Sequence, residues 1–150
     1  MATLFGHIWR KLLGYNQSGI AEMLGVVPMG ASGVTATTYV PGTDTPMFTV
    51  TKTAAEVGRY TIQCVDARGQ TVAVKKIVFR HCNVVGAADA VYTTDKGLQA
   101  FARNVNPAAG SFDIQLTYLD DASGAWVDAE PMDSASLHIG FAVKLSSANI

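Results

Sequence analysis

Five carboxylates fall close together in "DDASGAWVDAEPMD", namely Asp120, Asp121, Asp128, Glu130 and Asp133. Carboxylates gathered from neighbouring loops are what a hard cation such as calcium selects. This stretch lacks the alternating oxygen donors and the closing glutamate of the helix–loop–helix calcium motif. Asp is also the residue with which turns hydrogen-bond their own backbone, so solvated turns and no bound metal are expected. The histidines, His7, His81 and His138, stand apart, and none has a second ligand at the spacing that would set two on one face. A lone imidazole also lacks the neighbour that tunes it as an acid or base. Cys64 and Cys82 lie 18 positions apart. Buried thiols acting as small hydrophobes are the expected reading, with a disulfide between paired strands left open.

Nucleophilic and phosphate-binding patterns are missing. "GASG" at 30–33 is not followed by the Lys-Ser or Lys-Thr pair of a phosphate-cradling loop, and no serine sits in a Gly-x-Ser-x-Gly elbow. A glycosidase needs two carboxyl groups roughly 5 to 9.5 Å apart across one cleft. Asp113 and Asp121 are the only loosely eligible pair, and strand phase does not bring them together. No enzyme and no cofactor are expected. Trp126 follows a Gly-containing turn, where it is a candidate exposed contact able to stack on a sugar or on a neighbouring subunit. A Trp capping the end of a β-sandwich is the plainer alternative.

These residues need elements to position them. At 150 residues the chain suits one domain, or one domain with an arm. Its composition, 49% hydrophobic and 15% charged, argues against intrinsic disorder. With a net charge of −1 and scattered Lys and Arg, it carries no basic stripe for nucleic acid. No run approaches the roughly 18 to 20 apolar residues of a membrane span. Arg10 and Lys11 follow the apolar residues of "MATLFGHIWRKLLG" rather than precede them, against the order of a secretory signal.

Residues 3–14 are expected to form a short amphipathic helix, with Phe5, Trp9 and Leu13 at intervals of four and Leu4, Ile8 and Leu12 beside them. Such a helix is marginal alone in water, so Phe5, Ile8, Trp9, Leu12 and Leu13 form the candidate partner-binding anchor. A second helical piece is expected over 17–24, then a Gly/Thr/Pro-rich extended arm, which makes 1–45 an anchor and arm. From Pro46 the period becomes two. Strands are expected in "MFTVTKT", "VGRYTIQCVD", "TVAVKKIVFRHC", "ADAVYTT", "LQAFARNV", "SFDIQLTYL" and "SLHIGFAVKLSS". The third changes phase at Lys75-Lys76, the mark of a bulge. Short strands joined by turn-rich segments indicate an all-β sandwich or barrel over 46–150.

Two segments carry a resemblance to a known class of protein. "GRYTIQCVDARG" (58–69) and "SFDIQLTYLDDASGAWVDAEPMDSASLHIGFAVKLSS" (111–147) resemble, in order and texture, the small head decoration, or cement, proteins of tailed-bacteriophage virions. The resemblance implies a β-sandwich, often jelly-roll-like, that sits as a homotrimer on the major capsid protein and stabilises the shell. It implies a virion location after synthesis in the host cytoplasm, and no catalytic residues. Residues 1–45 do not align, so a head-fibre or tail-fibre tip that binds host-surface glycans stays open as the alternative, with Trp126 and the 120–133 loop as its contacts.

Overall fold

The computed structural model describes residues 20–29, 35–39, 46–53, 55–66, 68–86, 97–132 and 135–145. Within them nine strands form two antiparallel sheets. The smaller holds β1 (Ile20–Pro28), β9 (Ser136–Leu145) and β5 (Val74–Val85), in that order. The larger runs β2 (Thr35–Tyr39), β3 (Pro46–Lys52), β4 (Arg59–Cys64), β7 (Ser111–Asp120), β6 (Gln99–Asn106), with β8 (Ala125–Asp128) also paired to β7.

Two-residue periodicity decides which face of each strand is inside. Tyr60, Ile62 and Cys64 of β4, Phe112, Ile114 and Leu116 of β7, and Leu137, Ile139, Phe141 and Val143 of β9 are all buried. The sheets meet through a chain of edge-to-face rings. Phe48 (β3) touches Phe141 (β9) at 5.3 Å between centroids, Phe141 touches Phe112 (β7) at 5.1 Å, and Phe112 touches Phe79 (β5) at 4.8 Å. Each contact joins one sheet to the other, so the architecture is the expected layered sandwich. Edge-to-face pairs add about 0.5–1.5 kcal/mol beyond their area.

The phase change in β5 falls where the sequence places it. Pairing with β9 shifts between Val74 and Lys76, which lets Val74 and Ile77 both face inward. A second shift, between Phe79 and His81, turns the strand back so that Cys82 and Val84 pack against the core. The sequence hides this one because Arg80 and His81 are both polar.

Residues 17–24 do not form the expected helix from Ile20 onward. β1 pairs with β9 residue by residue from Ile20↔Lys144 to Pro28↔Ser136. Ile20, Met23, Leu24 and Val27 fit a helical stripe on paper, but Met23 and Val27 are buried while Leu24 and Val26 are exposed. Strand pairing has overridden a weak local tendency. Both sheets therefore draw a strand, β1 and β2, from the stretch read as anchor and arm. The helix expected over 3–14 and the strand expected in "ADAVYTT" lie outside the described residues.

Candidate functional site

The acidic stretch separates into unrelated tasks. Asp120 caps its own turn, accepting from the backbone N–H groups of Ala122 and Ser123 and from the Ser123 hydroxyl. Glu130 turns inward. Its Oε1 accepts from the Gly58 N–H at 3.0 Å and pairs with Lys52 Nζ at 2.7 Å, while its Oε2 accepts from the Tyr60 hydroxyl at 3.3 Å. Burial, then the adjacent Glu130 charge, raises the Tyr60 phenol above its ordinary range. Gly58 has φ +63°, and a Cβ there would overlap the Ala129 carbonyl oxygen. Only glycine suits such a left-handed close approach, so Glu130 is a clasp holding 129–131 against β3 and β4. Asp133 lies outside the described residues, among which no three His, Cys, Asp or Glu side chains gather to hold a metal.

Asp113 accepts from Thr61 Oγ1 at 2.8 Å and Asn104 Nδ2 at 2.7 Å, near the start of β7. Asp121 follows the far end of that strand, eight residues on, or roughly 26 Å at strand rise. That pair cannot flank one bond. The imidazole of His81 lies over Gly140 on the outer face of the smaller sheet, and His138 Nε2 is 3.2 Å from Ser136 Oγ. His7 lies outside the described residues. Cys64 and Cys82 are free thiols, and burial pushes each up to about 12. Protonated thiols are poor nucleophiles.

What the sheets do bring together is an aromatic groove of about 320 Å³ on the outer face of the larger one. Phe101 and Arg103 come from β6, Gln115 and Thr117 from β7, Trp126 and Asp128 from β8. The register explains the meeting. Phe101 sits beside Gln115, Trp126 beside Leu119, and Asp128 beside Thr117. The two rings thus reach diagonally over β7 and meet above Thr117, edge to face at 5.7 Å between centroids. They remain 44% and 50% exposed, whereas Thr117 beneath is only 6% exposed. The Thr117 hydroxyl is buried without a hydrogen-bond partner. Gln115 beside it is satisfied, accepting from Arg59 Nε at 3.1 Å and donating to the Val57 carbonyl at 2.8 Å.

A second surface of different chemistry covers the outer face of the smaller sheet. Leu24 and Val26 of β1 and Val78 and Val85 of β5 are all exposed there. Between them β9 contributes Ser136, His138, Gly140 and Ala142. The His81 imidazole covers Gly140 and Arg80 reaches across β9 to Glu22 at 3.1 Å, so the aliphatic side chains stand in a shallow trough interrupted by polar groups.

Trp126, singled out from the sequence, therefore stands on a strand, half-exposed and partnered. Sequence reading missed Phe101, Arg103, Gln115 and Thr117. A signal was present: Phe101 shares its strand phase with Gln99 and Arg103, an aromatic on an otherwise polar face. The anchor residues Phe5, Ile8, Trp9, Leu12 and Leu13 lie outside the described residues. No known protein family matches the chain, and neither a curated protein nor a solved structure does so.

Proposed function

We propose that this chain is a structural protein of a tailed-bacteriophage particle, a head decoration protein that binds the major capsid protein as a homotrimer and stabilises the shell. The observation that carries this reading is the aliphatic trough of Leu24, Val26, Val78 and Val85. Exposed apolar side chains interspersed with polar groups, here the Glu22–Arg80 ion pair, His81 and Lys144, suit contact with another protein rather than chemistry on a small molecule. The apolar residues Phe5, Ile8, Trp9, Leu12 and Leu13 precede β1 in the sequence, and on this reading they share in the same grip. Threefold repetition multiplies a weak grip through effective concentration.

The resemblance of 58–69 and 111–147 to cement proteins supports the same reading. So does the strand order, in support of a jelly-roll-like winding. β9 is inserted between β1 and β5, and β7 between β4 and β6. The late strand set between two early ones in the smaller sheet is what rolled-up Greek keys produce, while β2-β3-β4 of the larger sheet is a plain meander.

Sedimentation of the purified protein, alone and with undecorated particles, tests the proposal. The expected result is a species near three chain masses that pellets with the shells. Paired substitution Val26→Asp and Val85→Asp, or Trp9→Asp in the anchor, should leave a folded protein that stays in the supernatant. Full decoration by all of these variants overturns the gripping role. Truncation is a poorer test, because removing residues 1–25 would excise most of β1.

A further inference from the structure

We propose that the groove between Phe101 and Trp126 binds an uncharged saccharide, a site independent of the aliphatic trough and of the virion reading. Three observations select that ligand class. First, two aromatic rings stand about half exposed on a sheet face, fixed against each other at 5.7 Å. Rings in this setting present an apolar face beside polar groups, the combination that fits the C–H face of a sugar ring edged with hydroxyls.

Second, the polar groups around the rings are of opposite kinds. Arg103 only donates hydrogen bonds and an ionised Asp128 only accepts them. Neither has a hydrogen-bond or ion-pair partner among the described residues. A hydroxyl donates and accepts at once, so adjacent hydroxyls on one ring satisfy both side chains. Arg103 and Asp128 together give the groove no net charge, so it has no excess of cations with which to select a phosphate or carboxylate ligand. The chain's net charge of −1 points the same way.

Third, Thr117 lines the groove and its hydroxyl is buried and unpartnered. A buried polar atom left unpaired is destabilising, by about 1–3 kcal/mol, and native folds rarely keep one without a use. A purely apolar ligand would leave that atom unpaired, whereas a sugar hydroxyl inserted where the two rings now cover Thr117 would satisfy it. The sequence offers the contrast: valine has the same shape as threonine without the hydroxyl, and would suit a site meant only to be filled.

The test uses the full chain carrying Trp9→Phe, which makes Trp126 its only tryptophan. The probes are neutral oligosaccharides of glucose, galactose, mannose and N-acetylglucosamine, screened on an array and then titrated by tryptophan fluorescence. Expected is saturable binding to at least one neutral oligosaccharide with a shift in Trp126 emission. Trp126→Ala, which removes the fluorophore and is titrated by isothermal calorimetry instead, should weaken it at least tenfold. Thr117→Val should weaken it about fivefold while leaving the unfolding midpoint equal or higher, which a merely structural hydroxyl would not do. No saturable binding, binding confined to acidic glycans, or binding unchanged by Trp126→Ala overturns the proposal. So does a self-associated species dissolved by Trp126→Ala, which would make the groove a contact between copies.

Discussion

Replacing Glu130 separates a structural clasp from a ligand site. In Glu130→Ala the Gly58 N–H, 3.0 Å from Oε1 and buried, loses its acceptor, and an orphaned buried donor costs about 1–3 kcal/mol. The Tyr60 hydroxyl, at the longer 3.3 Å, adds a loss near the lower end of the same range. Lys52 keeps 25% of its side chain exposed and can turn to water, so its contribution is small. The sum, about 2–4 kcal/mol, overlaps the roughly 3–5 kcal/mol seen when one partner of a buried ion pair is removed. Glu130→Gln keeps an acceptor toward Gly58 and a polar atom beside Tyr60, so about 1 kcal/mol is expected. Urea unfolding followed by circular dichroism reads both as midpoint shifts at constant slope. Calcium or chelator should move neither midpoint, because a ligand that binds the folded state raises it by mass action. A Glu130→Ala loss below about 0.5 kcal/mol, or equal losses for Ala and Gln, would refute the clasp.

Two further expectations concern the core. Phe141 is fully buried between Phe48 and Phe112, so Phe141→Ala should lower stability by about 3–5 kcal/mol, measurable in the same urea experiment. Cys64 is fully buried and its thiol is raised to about 12. The unfolded chain therefore loses this proton first as pH rises, and folded stability should be level below about pH 8.5 and fall above it. The slope contributed by Cys64 is at most about 1.4 kcal/mol per pH unit and runs up to the folded value. Tyr60, raised in the same direction, steepens the fall above its own ordinary value. Equilibrium unfolding from pH 7 to 10 checks the sign. Stability that rises through this interval would contradict the burial of Cys64.

Alternation made the large sheet legible. Tyr60-Ile62-Cys64 and Phe112-Ile114-Leu116 each place one unbroken apolar face inward, and no other pairing buries them. The first bulge of β5 was legible for the same reason, since Val74 and Ile77 are apolar on both sides of the slip. β1 was not, because Ile20, Met23, Leu24 and Val27 follow the helical period while only Met23 and Val27 share the buried face of a strand, and it is the partner strand β9 that overrides the local pattern. The groove was half legible. Trp126 announces itself beside a turn, but its partner Phe101 lies 25 positions earlier. Their meeting depends on β8 and β6 flanking β7 on opposite sides, a fact of register that no local pattern holds.

The two surfaces also constrain one another. The sheets pack face to face, so their outer faces point in opposite directions. The trough lies on the outer face of the smaller sheet and the groove on that of the larger. A protein held to a shell through the trough must turn Phe101 and Trp126 away from that shell, toward solution. Decorated particles should then bind the same neutral oligosaccharides as the free protein, with an affinity per site within about twofold and an avidity far higher on a multivalent surface. Light scattering of decorated particles with an oligosaccharide-bearing polymer reads this directly. The Trp126→Ala protein, which keeps the trough, should decorate fully and fail to cross-link. If the saccharide binds free protein but not decorated particles, the groove faces the shell, and the gripping side has been assigned to the wrong sheet.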